Sequence, residues 1–235
     1  MRKIQLKQVL RNKRFVLFTI ILPIGWYIFF YHLQKGVSPS ILLGIAVFIG
    51  VIGNSLATFS KRIASDIGFY SFESHFTSYS VKHYLWDQSI VQLILNSLIF
   101  LAVLAVAVLC FHFPVTSSLL LQFFLLSLMG IYFSVIGFVL GVRVDAKTID
   151  TIGFPIIILA AMTIIPFDTL GASGGFMDLV GKLQRVFPGY YYTKLIQDLT
   201  EKQTIDVTQL ALFVAVFGMN LLFFYLLVPK GKMGN

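Results

Sequence analysis

Residues 89–111 read SIVQLILNSLIFLAVLAVAVLCF, a run of twenty-three residues that contains no Lys, Arg, Asp or Glu. A helix rises about 1.5 Å per residue and the hydrocarbon core of a bilayer is about 30 Å thick, so roughly 20 mainly apolar residues are needed to cross it. This run therefore predicts a transmembrane helix. Five further uncharged segments have the same character, and they extend over 15–31, 41–59, 119–142, 152–166 and 209–228.

The composition of the whole chain supports the same class. Of its 235 residues 57% are hydrophobic and 12% are charged, and the mean hydropathy is +0.87. A water-soluble core cannot bury so much apolar surface. We therefore predict a single all-α integral membrane domain over 1–235 with six transmembrane helices.

The distribution of basic residues predicts the topology. The net charge of +8 comes from Lys and Arg that lie between the apolar segments, which favours membrane topology and anionic lipid headgroups over a nucleic-acid partner. With both termini inside, thirteen Lys and Arg lie on the inner side and five on the outer side. The positive-inside rule therefore predicts cytoplasmic N and C termini. The first apolar run follows a basic start and lacks a small-x-small cleavage pattern, which favours a retained span.

Four other features of the chain are informative. Residues 1–14 favour a basic interfacial helix, with a disordered basic tail as the alternative. Residues 60–88 form a long, aromatic-rich cytoplasmic loop, which predicts either an interfacial segment or a docking site for a partner. The fifth span, with fifteen residues, reaches only roughly 22 Å as a helix, so we expect it to stop before it crosses the hydrocarbon core of about 30 Å completely. Residues 167–208 contain two apolar stripes broken by Pro188, which predict a re-entrant helical hairpin or a small outer cap.

Several catalytic and energetic motifs are missing from the sequence. No G-x-x-x-x-G-K-[ST] loop is present, so the chain has no recognisable means of hydrolysing ATP. The predicted spans contain no carboxylate, and the four histidines form no metal-binding pattern, which argues against a membrane enzyme. We therefore predict no catalytic residues and no metal site.

The polar residues inside the predicted spans are neutral. They either line a transport path or, as is more usual in lipid, form hydrogen bonds between helices; they are Asn54, Gln92, Asn96, Gln122 and Asn220. Small residues four apart predict close helix packing, either within the chain or between copies. The pairs are Ala46 and Gly50, Gly53 and Ala57, and Gly137 and Gly141.

The layout resembles the permease subunit of ATP-binding-cassette exporters of the ABC-2 type, in which a separate ATPase subunit supplies energy. Residues 66–68 (Asp-Ile-Gly), Glu73 and residues 77–78 (Thr-Ser) are similar to the coupling motif of that family, although Tyr79 and Ser80 stand where the family has Pro. Residues 186–190 (Val-Phe-Pro-Gly-Tyr) resemble its outer Pro segment. The resemblance extends nearly from end to end of the chain.

The resemblance implies partners and functional residues. It implies an ABC ATPase that carries ATP and Mg, with no cofactor on this chain, and a second copy or a related permease. It further implies that a coupling helix between spans two and three docks on the ATPase, through Asp66, Gly68, Phe69, Tyr70, Glu73, His75 and Phe76. The first, second and fifth spans would line the substrate path, with Trp26, Tyr27, Phe30, Asn54, Phe154 and Met162 as wall residues.

An uncharged path suits amphipathic or hydrophobic cargo. We therefore expect a bacterial plasma-membrane exporter of an antimicrobial peptide such as a bacteriocin, of a drug in multidrug export, or of a lipid-like molecule. The alternatives are a permease for polysaccharide or teichoic-acid precursors, and a non-pumping immunity or scaffold protein.

Overall fold

The protein is described by a computed structural model, which is all helical. The structure describes residues 11, 16–33, 36–73, 81–116, 118–165, 167, 174–201 and 204–227. Within these ranges there is no β-strand, so the all-α prediction is confirmed. Of the predicted interfacial helix over 1–14, only Arg11 is among the described residues.

The described residues contain nine α-helices, which are numbered in chain order. A π-helical turn, Leu17–Ile21, leads into α1 (Leu22–Leu33). Then follow α2 (Pro39–Ile52), a π-helical segment (Gly53–Phe59), α3 (Ser60–Glu73), α4 (Val81–Phe111), α5 (Ser118–Arg143), α6 (Ala146–Met162), α7 (Gly175–Gln184), α8 (Pro188–Glu201) and α9 (Val207–Leu226).

Four of these helical stretches are long and apolar enough to cross a membrane. They are Pro39–Asp66, Asp87–Phe111, Ser118–Arg143 and Val207–Leu226. They correspond to the second, third, fourth and sixth predicted spans. The helices at the other two predicted spans are shorter, since the apolar helix of the first is Thr19–Leu33 and α6 has seventeen residues. The described part of the chain is thus compatible with a multi-pass membrane protein.

The central element is the continuous helix formed by α2, the π-helical segment and α3. It starts at Ser38, whose hydroxyl accepts a hydrogen bond from the Ser40 amide, and Pro39 occupies its first turn, where the missing N–H costs nothing. In the most apolar eighteen residues of this helix, 83% are buried within the bundle, whereas the corresponding share in α9 is 11%. The other helices therefore pack around this one.

Glycines allow α5 to approach this central helix closely. A Cβ atom at Gly137 would lie 2.1 Å from the Ser55 carbonyl oxygen, and one at Gly141 would lie 2.5 Å from the Ser60 carbonyl oxygen. Only hydrogen fits at these positions, so the two backbones touch. Gly50 likewise accommodates Pro23 of α1 and Ile99 of α4. Gly137 and Gly141 therefore allow the predicted close helix packing, and this packing lies within one chain.

Two short helices, α7 and α8, occupy the region in which the sequence shows two apolar stripes. Side chains attach them to the end of α6, since Gln184 Nε2 donates to the Met162 and Ile165 carbonyl oxygens at 2.7 and 2.8 Å. The Thr193 hydroxyl donates to the Ile164 carbonyl oxygen at 3.1 Å. Tyr192 is buried against Gly44 and Phe48 of α2. The described part of 167–208 therefore packs against the bundle.

The segment that the sequence presents as a loop over 60–88 is mostly helical. Residues 60–73 continue the central helix, and residues 81–88 are the first two turns of α4. The helix from Pro39 to Glu73 has thirty-five residues and is roughly 52 Å long, which exceeds the hydrocarbon thickness of about 30 Å. Both helices thus extend beyond their most apolar parts at the same end of the bundle.

We predict that Gly137→Ala destabilises the fold, because the added methyl group meets backbone atoms of Ser55 that cannot rotate away. Overpacking of this kind costs about 1–3 kcal/mol. The measurement is the midpoint of unfolding in mild detergent, by heat or by titration with a denaturing detergent.

The matched control is Gly218→Ala in α9, where nothing lies within 4 Å of an added Cβ. This variant is expected to keep the wild-type midpoint or to exceed it slightly. Equal midpoints for the two variants would contradict the close contact between α5 and the central helix.

Candidate functional site

The first candidate site is the helical projection formed by α3 and the start of α4. Asp66 and Gly68 lie in α3, where Gly68 is exposed and a Cβ added to it would meet nothing within 4 Å. Phe69, Tyr70 and Glu73 also lie in α3, although their side chains are not described, and His75 and Phe76 lie outside the described residues. The predicted docking residues in α3 thus follow one another along a single helix.

Charged side chains join helices near the base of this projection. Lys61 forms an ion pair with Asp150 of α6. Arg143, at the end of α5, donates through Nε to the Leu227 carbonyl oxygen at 2.8 Å. We call this end of the bundle, marked by these four residues, the charged end. Because Lys61 lies in α3 and Asp150 lies in α6, a force on α3 would reach α6 through their ion pair.

Asp145 starts α6 by capping its free amides at the same end. Its carboxylate accepts hydrogen bonds from the Thr148 hydroxyl and from the backbone amides of Lys147 and Thr148. The Thr148 side-chain hydrogen bond is the main cause that lowers the pKa of Asp145 below its usual value. The stability that this cap contributes is therefore fully present above the usual carboxyl pKa. It is lost as the pH falls through the lowered pKa of Asp145.

The second candidate site is an apolar cavity of about 410 Å³. It lies between the π-helical segment, α5, α6, α7 and α9. Its walls are Leu56, Tyr132, Phe133, Ile136, Ile156, Leu159, Ala160, Met162, Thr163, Val180, Leu183, Gln184, Phe187 and Phe224. The volume is within the range of about 300–1,000 Å³ that small-molecule pockets occupy.

The few polar groups in the cavity wall are already engaged. The Gln184 amide donates to two carbonyl oxygens of the α6 end, and the Thr163 hydroxyl donates to the Ala160 carbonyl oxygen at 2.7 Å. The Tyr132 hydroxyl donates to Asn220 Oδ1 at 3.4 Å. The surface offered to a ligand is therefore almost wholly hydrocarbon and aromatic, which suits the apolar part of an amphipathic molecule.

The six predicted path residues lie in different places. Met162 lines the cavity, whereas the Phe154 side chain is 71% exposed on the outside of α6. Tyr27 is fully buried and Asn54 is 1% exposed, both between helices of this chain. Trp26 and Phe30 stack on each other with ring centroids 5.2 Å apart. The structure brings these two together but does not gather the six around one path.

Buried amides form a separate polar cluster on the other side of α5. Asn54 Nδ2 donates to Asn96 Oδ1 at 3.1 Å, and Gln92 Nε2 donates to the Ser55 hydroxyl at 3.1 Å. The Ser55 and Ser134 hydroxyls are 3.4 Å apart. Three helical stretches are thus joined by side-chain hydrogen bonds, which is the interhelical role predicted for such residues.

Comparison with protein-family models, with curated proteins and with solved structures found no match in any of the three. Among the described residues, no three His, Cys, Asp or Glu side chains are grouped so that they could hold a metal ion.

Sequence reasoning did not find the cavity, although it found part of its wall. The stripe that contains Val180, Leu183 and Phe187 predicts an apolar helix face. Nothing in the sequence shows that this face lies opposite Tyr132 and Phe133 of α5, because α5 is apolar on all sides. Knowledge of helix rotation was the missing signal.

We predict that Ala160→Phe fills the cavity and excludes hydrophobic ligands from it, because the new ring occupies space between α6 and α7. The measurement is labelling by a small hydrophobic diazirine photoprobe in liposomes, followed by mass spectrometry of the peptide that contains Met162. Labelling of this peptide is expected to fall severalfold.

The control is Ala215→Phe, which adds the same ring on the exposed side of α9. It should leave the labelling unchanged. Undiminished labelling of the Met162 peptide in Ala160→Phe would show that the probe reaches this peptide from the lipid and not through the cavity.

Proposed function

We propose that this chain is the permease subunit of an ATP-driven exporter of the ABC-2 type. In this proposal a separate ATPase binds at the charged end and supplies the energy. The cargo is amphipathic or hydrophobic, such as an antimicrobial peptide, a drug or a lipid-like molecule.

The observation that carries the proposal is the helical projection between the second and third apolar spans. The helix that ends at Glu73 and the helix that begins at Val81 both extend past their apolar windows. Such a projection provides a rigid surface on which a soluble partner can dock. The order of helices around it supports the resemblance already found in the motifs over 66–78.

The attachment of the projection supports a transport role for it. Because α3 continues the central helix and Lys61 pairs with Asp150 of α6, movement at the docking surface would be transmitted to both elements. Both elements also contribute residues to the wall of the apolar cavity. A partner that pushes on α3 could thus reshape the cavity without contacting it.

The finer topology is part of the proposal. The first apolar helix and α6 complete six spans, with the charged end and both termini in the cytoplasm of a bacterial cell. The helices α7 and α8 form the re-entrant pair on the outer side. This arrangement is supported by the excess of Lys and Arg on one side and by the packing of α8 against the opposite end of α2, at Gly44. A second copy or a related permease completes the transporter.

The test uses Gly68→Trp, because this position is exposed and its surroundings are open, so the bulky side chain should block docking without disturbing the fold. The protein is purified in mild detergent from its native cells, and the proteins that accompany it are identified by mass spectrometry. An ABC ATPase is expected to co-purify with the wild type and to be lost from the variant.

The matched control is Gly181→Trp in α7, a helical glycine with equally open surroundings that lies away from the charged end. It should retain the ATPase. If no ATPase associates with the wild type, the exporter proposal fails.

Pumping and sequestration are separated by inactivating the partner. If the pair protects cells against a toxic peptide, replacement of the catalytic glutamate of the ATPase should abolish that protection. Protection that survives this replacement would support a non-pumping immunity protein instead.

A further inference from the structure

The turn between α7 and α8 lies beside the apolar part of α9. Asn220 Nδ2 donates a hydrogen bond to the Val186 carbonyl oxygen at 3.0 Å. Along α9, Asn220 lies roughly 20 Å from the first residue and roughly 9 Å from the last. With α9 as a membrane span, this turn lies at the level of the hydrocarbon core.

The helix α8 leads from this turn back toward the start of α9. It has fourteen residues and is roughly 21 Å long, which is close to the distance from Asn220 to the first residue of α9. One turn into α8, Tyr192 packs against Gly44, which is near the start of the central helix. The turn between α7 and α8 is therefore the part of this pair that lies farthest from the start of α9.

Cationic side chains gather at this turn. Lys182 and Arg185 are three residues apart, so they are neighbours on the surface of α7, and both are exposed. The Arg185 guanidinium carbon lies 5.9 Å from the centroid of the Tyr190 ring, and Lys194 Nζ lies at the same distance from that centroid. Among the described residues, no carboxylate forms an ion pair with Lys182 or Arg185. We call Lys182, Arg185, Tyr190 and Lys194 the cation cluster.

The carboxylates of these two helices lie farther from the turn. Asp178 is one helical turn before Lys182 in α7, and Asp198 is one helical turn after Lys194 in α8. Glu201, at the end of α8, accepts a hydrogen bond from Gln197 at 3.0 Å. The charge therefore changes along the pair, from carboxylates at the far ends of the helices to cations beside the turn.

An apolar stripe borders the cations on the same surface of α7. Leu179 and Val186 lie three and four residues from Lys182, which makes them its neighbours on the helix. Their side chains are 54% and 61% exposed. The exposed side of α7 thus combines hydrocarbon with positive charge.

An exposed cation at this depth requires water or an opposite charge beside it. A charged side chain in contact with lipid hydrocarbon is costly, and such residues almost always face the interior of a bundle or a water-filled cavity. In the single chain Lys182 and Arg185 lie on the surface. In the proposed transporter, a second copy or a related permease covers this surface and encloses water between the two chains.

We propose that the cation cluster lines a water-filled part of the substrate path and binds the anionic group of an amphipathic cargo. This inference rests on the proposed function and names its substrate class, a molecule that carries a phosphate or carboxylate group beside a hydrocarbon part. Guanidinium and ammonium groups form charge-assisted hydrogen bonds with such oxyanions. The predicted spans are uncharged, but these cations come from the segment between the fifth and sixth spans.

The test measures whether this surface is wet and selects anions, by the rate at which an introduced thiol reacts in lipid nanodiscs. In a Cys110→Ser background, Gly181→Cys places a thiol one helical turn from Arg185, in open surroundings. The probes are the anionic 2-sulfonatoethyl and the cationic 2-trimethylammonioethyl methanethiosulfonates, each normalised to its rate with a free thiol in solution. The anionic reagent is expected to react severalfold faster, because the cations raise its local concentration.

The matched control is Gly218→Cys in the same background. It replaces an equally open glycine two residues from Asn220, on the exposed, apolar side of α9. Both reagents should react with it far more slowly than with Gly181→Cys. If Gly181→Cys reacts as slowly as this control, the surface is dry and the proposal fails. Equal normalised rates of the two reagents at Gly181→Cys would contradict the selection of anions.

The residues are tested by adding Lys182→Gln and Arg185→Gln to the Gly181→Cys protein. The preference for the anionic reagent should then fall severalfold. The control is Lys147→Gln, which removes an exposed cation of α6 at the charged end and should keep the preference. An unchanged preference without Lys182 and Arg185 would overturn their role.

The class of cargo is tested with two amphipathic probes, dodecyl phosphate and dodecyl maltoside, at a concentration that leaves the nanodiscs intact. Dodecyl phosphate is expected to slow the reaction of Gly181→Cys with the anionic reagent severalfold, because both compete for the same cations. Dodecyl maltoside should have no such effect. Equal slowing by the two probes would overturn the anionic class.

Failure of this inference is distinguishable from failure of the proposed function, because the thiol rates are measured on this chain without an ATPase. An ATPase that co-purifies with a chain showing equal rates would overturn the anionic substrate class alone. A preference for the anionic reagent in a chain that binds no ATPase would support the anion site and reject the exporter.

Discussion

The structure depends on direct contact between two helix backbones, where Gly137 and Gly141 of α5 meet the carbonyl oxygens of Ser55 and Ser60. In a membrane no difference in hydrophobicity drives helices together, so close packing and polar contacts determine which helices associate. This contact sets the depth of α5 relative to the central helix. It thereby brings Ser134 to Ser55, and the close fit of Gly130 around Asn96 adds α4 to the same junction.

As a consequence, α5 separates two cavities. Residues 132, 133 and 136 line the apolar cavity, while residues 131, 134, 135 and 138 line a second cavity of about 190 Å³, to which Ser89 and Asn96 also contribute. The two cavities also share the π-helical segment as a wall, through Leu56 on one side and Phe59 on the other.

The sequence predicts the helical class, the four long apolar helices and the two short helices over 167–208, because each depends on local composition and on helical spacing. It does not predict how each helix is rotated. Tyr27 and Asn54, for example, are buried between helices of this chain, and a mainly apolar helix offers no periodic signal from which that orientation could be predicted. The sequence also does not reveal that α3 continues the second span, since 60–73 is rich in polar and aromatic residues that also suit a loop.

The π-helical segment gives the central helix a place where its length can change. A π-helical turn holds about one residue more than an α-helical turn, whereas each residue of an α-helix advances the chain by about 100°. Removing a single residue from Gly53–Phe59 would let this segment become α-helical and would leave α3 near its present direction relative to α2, with Lys61 still beside Asp150. The same deletion within α2 would instead turn the start of the central helix by about 100° relative to α3.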